Sequence, residues 1–209
     1  MLKIIKQSVV VSMLLFAIYL MLPIILPHLL FNPKEGFLML KQQEVNSIIW
    51  KAAFYSHVFS SIFLLPAGFT QFNPFLRHRY PRLHRAVGWS YLVILLCIAG
   101  PSGLYMAFYA LGGWSAKLGF SILALLWISV TAKAGWTAIC KKWRIHGQWM
   151  IISYSLTLAA ITLRSYKFFF LLSYDFLGSN LSLMEFYQIN AWLSWVPNAL
   201  VGLYLASKL

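Results

Sequence analysis

The chain has 209 residues, of which 61% are hydrophobic and only 10% charged, and its mean hydropathy is +0.74. Soluble domains carry about a quarter charged residues, so this composition excludes a monomer dissolved in water and points to an integral membrane protein. The net charge of +13 would suit nucleic acid, but the cations sit in short segments between apolar spans of helical length, a pattern membrane insertion explains directly and nucleic-acid binding does not.

An all-α polytopic bundle of six transmembrane helices is expected, a single membrane domain over residues 1–209. Each span approaches the ~20 residues that cross ~30 Å of hydrocarbon. The first runs from about Ile5 to Phe31. It is too long for a signal-peptide core and no A-x-A site follows, so it is expected to be retained; Pro23 and Pro27 kink its outer end. The second covers about Ile48 to Phe72, the third Ala86 to Ala110, and the fourth Leu118 to Ile139. The fifth covers Gln148 to Ser173 and the sixth Tyr187 to Ala206. Cys97 and Cys140 lack C-x-x-C or zinc spacing and read as small apolar fillers.

Lysine and arginine placement sets the orientation. With the N-terminus inside, the inner segments hold ten cations: Lys3, Lys6, Arg77, Arg79, Arg82, Arg85, Lys141, Lys142, Arg144 and Lys208. The outer segments hold four, Lys34, Lys41, Lys51 and Lys117, together with all four acids, Glu35, Glu44, Asp175 and Glu185. This favours both termini in the cytoplasm, in a bacterial inner membrane, with the arginine-rich stretch 77–85 against anionic lipid phosphates.

Polar groups inside hydrocarbon are expensive and point to function. Lys133 and Lys167 lie near helix ends and snorkel. Arg164 is deeper, and no Asp or Glu lies within any span. Its partners are therefore carbonyls, hydroxyls, water, or an anionic or carbonyl-bearing ligand, and the alternative role is a structural clamp. The same absence argues against a carboxylate proton relay. His146, Ser153, Thr157 and Arg164 are spaced by seven, four and seven residues, within about 20° of one line at ~100° per residue. His84, Gly88, Tyr91 and Ser102 share a face of helix three by the same arithmetic. His57 lies within helix two near the depth of Arg164. His28 and His78 read as interfacial. Asn190, Pro197 and Asn198 of helix six either line a cavity or satisfy local backbone.

Histidine pairs from facing helices ligate haem iron, and arginines hold its propionates. His84 and His146, each starting a helix that runs outward, are the pair of matched depth. Two or three histidines could also hold zinc or copper, and Arg164 with His57 suits a quinone or lipid pocket. No serine-hydrolase elbow, P-loop, dinucleotide fingerprint or H-E-x-x-H is present.

The ordered residues His57, "R-x-R-x-P-R-L-H-R-x-x-G-W-x-Y" from Arg77 to Tyr91, Gly119-Phe120 with Trp127, "H-G-Q-W-M" from His146, and "T-L-R" ending at Arg164 resemble the bacterial multi-pass membrane family designated domain of unknown function twenty-three-oh-six, over roughly residues 50–170. The resemblance implies a helical membrane core in which His57, His84, Arg85, His146, Trp149 and Arg164 belong to the family pattern, and implies no activity. Gly147 and Gln148 stand where more basic residues are expected. The leading expectation is a membrane redox or cofactor-binding protein with b-type haem on His84 and His146. Arg85, Tyr91 and Trp149 would lie nearby, and His57 and Arg164 would form a second site for a quinone. The alternatives are a transporter or lipid- or anion-binding protein without redox chemistry, and a structural subunit of a larger complex.

Overall fold

A computed structural model describes residue 12 and residues 15–23, 25–177 and 181–209, with side chains at 173–177 left aside. Among the described residues every regular element is helical. The family of helices is α1 (Ile48–Gln71), α2 (Pro74–Arg79), α3 (Pro81–Ala107), α4 (Gly113–Ile139), α5 (Trp143–Thr157 continuing across Leu158 into Ala159–Leu177), α6 (Leu183–Leu193) and α7 (Val196–Ser207).

Among the described residues four stretches are long and apolar enough to cross a membrane: Ile48–Gln71, Pro81–Ala107, Gly113–Ile139 and Trp143–Leu172. These are the second to fifth expected spans, with starts shifted. The third and fifth begin about a turn earlier than expected, at Pro81 and Trp143. Pro81 sits in the first turn, where its missing N–H costs nothing and its fixed φ suits a helix. Asn73 caps α2 by accepting from the Phe75 amide at 2.9 Å. His84 and His146 therefore lie within helices rather than before them.

The expected sixth span is two helices. Ser194 and Trp195 interrupt it, because Pro197 has no N–H to return to the carbonyl of Leu193. Most of the expected first span before residue 15 lies outside the described residues; residues 15–23 are helical, and the chain then tightens into a 3-10 turn at Leu26–His28. The described residues thus carry four long spans, followed by the two shorter helices α6 and α7.

α3 is itself discontinuous in register. Leu95–Ala99 form a π turn, which inserts one extra residue into the helical path. Large apolar side chains such as Val93, Leu125, Leu126, Leu172 and Leu203 are exposed along the helices, a surface suited to acyl chains. The core lies between α1, α3, α4 and α5, around Leu64, Tyr91, Leu95, Trp127 and Leu156. Gly68 permits the closest approach of α1, since a Cβ there would lie 2.4 Å from the ring of Tyr154.

The molecule has two unlike ends. The basic end carries α2, the turn at 140–142 and the C-terminus, with Arg77, Arg79, Arg82, Arg85, Lys141, Lys142 and Arg144 exposed. Lys141 takes a positive φ of 58° in that turn. At the other end residues 36–46 fold over α1 and α3, burying Leu38 and Val45 against Trp50 and Phe54.

Candidate functional site

Three groups of polar side chains are built into the bundle. The first is at the basic end. His146, on the first turn of α5, bonds through Nδ1 to the carbonyl of Ala134 in α4 at 2.8 Å. A carbonyl only accepts, so Nδ1 carries the hydrogen and Nε2 of the neutral ring keeps its lone pair. That is the second-shell arrangement that prepares a histidine for a metal. His84, one turn into α3, lies within electrostatic range of both His146 and Arg77, and its Nδ1 is buried without a partner. Arg85 is exposed and reaches back to the Pro81 carbonyl at 3.4 Å. Trp149 packs against the core, and Lys133 lies 4.7 Å above its ring, so this lysine meets an aromatic face as well as the interface. Among the described residues no three His, Cys, Asp or Glu side chains converge. The zinc or copper reading therefore has no third ligand there.

The second group is a hydroxyl core. Tyr91 is fully buried, with its hydroxyl 2.7 Å from Thr157 Oγ1 and 3.2 Å from Ser153 Oγ. Trp127 Nε1 donates to Thr157 Oγ1 at 2.9 Å. Thr131 Oγ1 lies 2.6 Å from Ser153 Oγ and donates to the Trp127 carbonyl at 2.7 Å. One consistent assignment uses every donor: Trp127 and Tyr91 give to Thr157, Thr157 to the Ser153 carbonyl at 3.1 Å, Ser153 to Thr131, and Thr131 to Trp127. Tyr91, expected beside a cofactor, has its hydroxyl engaged in this network. Thr131 and Trp127 were not anticipated as its partners; their i, i+4 spacing on α4 was the available signal.

The third group is nearer the other end. His57 Nδ1 donates to the Ala99 carbonyl at 2.9 Å, at the end of the π turn. Its ring packs against Gly103, where a Cβ would come within 2.8 Å. Arg164, on the second half of α5, lies within electrostatic range of His57. Its Nη1 donates to the Ala160 carbonyl one turn back, its Nε is buried without a partner, and no acidic group acts on it.

The remaining expectations divide. Ser153 and Thr157 join the hydroxyl core, whereas Arg164, beyond Leu158, serves a different site. Gly88 faces Gln71 of α1, with a virtual Cβ 3.0 Å from its Oε1, and Ser102 bonds its own helix at the Ile98 carbonyl. The π turn between Tyr91 and Ser102 is the reason they do not share a face. Asn190 donates to the Leu163 carbonyl at 2.9 Å and Asn198 to Thr162 Oγ1 at 2.9 Å, so both tie the broken passage to α5. His28, expected at the interface, is instead fully buried, edge-on to Phe54 with ring centroids 4.8 Å apart. Lys41 is also buried. It donates to Glu44 at 2.8 Å and to the Tyr109 carbonyl. Burial alone would raise the Glu44 carboxyl, but the hydrogen bond and charge of Lys41, with Lys117, hold it below the usual carboxylate range.

The chain matches the model of the family described as predicted membrane protein (DUF2306) over residues 54–206. That span covers well over half of the chain, so the protein belongs to this family. The match runs beyond the resemblance read from sequence, through α6 and α7. No curated protein and no solved structure matches.

Proposed function

With membership of that family as the premise, we propose that this integral membrane protein is a redox protein whose basic end holds a b-type haem between His84 and His146. The observation that supports the reading is that His146 of α5 is oriented by the Ala134 carbonyl while His84 of α3, within its electrostatic range, has a buried nitrogen without a partner. Bound there, haem would supply one-electron transfer. The chain's own residues would do the rest. His84 and His146 would provide ligating nitrogens, the Ala134 carbonyl would hold Nδ1 of His146 and leave its Nε2 free, and exposed Arg77, Arg82 and Arg144 would offer donors to propionates. By the positive-inside rule this end would face the cytoplasm.

The test is an absorbance spectrum of protein purified from haem-replete cells. A Soret band that shifts on reduction is expected, and His84→Ala and His146→Ala should each lose it while remaining folded. A colourless, monodisperse wild-type preparation would overturn the reading.

A further inference from the structure

Residues 36–46 lie as a strap over the end of the bundle opposite the arginines, and His28 sits beneath its start. His28 precedes the first of the four long spans. Its side chain is fully buried, edge-on to Phe54 with ring centroids 4.8 Å apart and beside Tyr55 with centroids 6.3 Å apart. Gly36 covers the ring edge: a Cβ there would stand 3.1 Å from Cε1 and 3.2 Å from Nε2. Gly36 also takes a positive φ of 58°, so a residue without a side chain both makes the turn and lies against the imidazole. Neither Nδ1 nor Nε2 of His28 has a hydrogen-bond partner.

A neutral imidazole leaves one donor and one acceptor unused in this enclosure. A protonated ring would place a charge and two donors there, which costs far more. Burial holds the ring below the ordinary histidine value, against the opposing charge of Glu35. The Glu35 carboxylate accepts from Asn32 Nδ2 at 2.6 Å. On the α1 side the titratable neighbour is Tyr55, whose hydroxyl is likewise buried without a partner. The rest of the strap is held without His28. Phe37 stacks on Phe54 at 6.0 Å, Leu38 and Val45 bury against Trp50 and Phe54, and Lys41 joins Glu44 and the Tyr109 carbonyl.

We infer that residues 36–46 are an acid-released strap: on taking a proton His28 leaves its enclosure beneath Gly36, and the strap lifts from the end of α1. The sign follows from the two states of the ring. With the strap open the ring titrates near the ordinary value of about 6.5; enclosed, it titrates lower. Closure is therefore complete above about pH 6.5 and weakens as pH falls below it, by up to about tenfold in the closed-to-open ratio per pH unit. The Lys41–Glu44 latch fails only at lower pH, because there a carboxylate must take the proton. The device stands apart from His84 and His146 and does not depend on haem.

The experiment is hydrogen–deuterium exchange of the detergent-purified full chain at pH 7.5 and pH 5.5, corrected for the pH dependence of chemical exchange. Amides of residues 36–46 should be roughly tenfold less protected at pH 5.5, while those of α4 around Thr131 keep their protection. His28→Phe retains an aromatic ring that cannot titrate and should give strap protection independent of pH. His28→Gln, polar and equally unable to titrate, should do the same, which keeps the test decisive if one variant does not fold. Glu44→Gln should lower strap protection at pH 7.5 and leave the fall toward pH 5.5 in place. The inference is overturned if wild-type strap protection is the same at both pH values, or if α4 loses protection in parallel. It is also overturned if a folded His28 variant keeps the wild-type pH dependence, or if Glu44→Gln abolishes it.

Discussion

The hydroxyl core and the Arg164 site lie on one helix, with Thr157 and Arg164 seven residues apart, and they treat burial in opposite ways. In the core every donor of Tyr91, Trp127, Thr131, Ser153 and Thr157 finds an acceptor within α3, α4 and α5. At Arg164 a partly buried charge has one carbonyl and, among the described residues, no acid, and its Nε is enclosed without a partner. A satisfied buried network rigidifies the bundle, while an unsatisfied one calls for something from outside. The contrast teaches that polarity within a span is not itself a mark of a site; what marks one is a polar group left without a partner.

Substitutions can break that comparison. The largest effect should come where the core depends on close helix approach. Gly68→Val drives a side chain into the rings of Tyr154 and Tyr91, 2.4 and 3.2 Å from a virtual Cβ, and should cost about 3 kcal/mol; folded, monodisperse protein should be lost in size-exclusion chromatography. Thr157→Val keeps the shape but orphans Trp127 Nε1 and leaves the Tyr91 hydroxyl only its longer contact with Ser153 Oγ. It should cost about 2 kcal/mol, read as a lowered Tm. Arg164→Gln should do the reverse in ligand-free detergent, leaving Tm unchanged or higher, because it removes an uncompensated charge. A fall as large as that of Thr157→Val would make Arg164 a clamp of the same kind as the core.

The smallest effect belongs to Lys41 and Glu44. The folded Glu44 carboxyl sits below its ordinary value. Its contribution is therefore complete above the unfolded carboxylate pKa and is lost as pH falls through the folded one. Screening at this partly exposed pair limits it to about 0.5–1 kcal/mol. Wild type and Glu44→Gln should differ in Tm at pH 7 and converge on acidification.

Apolar length and charge placement made the four long spans legible, and the absence of carboxylates from them singled out Arg164. Helical position also placed His84 and His146 near the basic ends of α3 and α5. Partners on other helices did not follow. Thr131 and Trp127 looked like ordinary members of an apolar span, and nothing in a single periodicity says which neighbour a face meets. The burial of His28 against Gly36 and Phe54 is a contact between separate segments, which local hydropathy does not contain. Pro197 carried the signal for the break at Ser194–Trp195, but the apolar residues around it read as one continuous span.

The π turn at Leu95–Ala99 also has a consequence for insertions and deletions. It amounts to a single residue of surplus length inside α3. Before it, Tyr91 is oriented toward Ser153 and Thr157; after it, Gly103 is oriented toward His57. Removing one residue from this turn would restore a uniform register and rotate the two halves by ~100° relative to each other. One half would then lose its partner whichever way the helix settled. The helix behaves as two recognition surfaces spliced out of phase, and its most constrained property is its residue count.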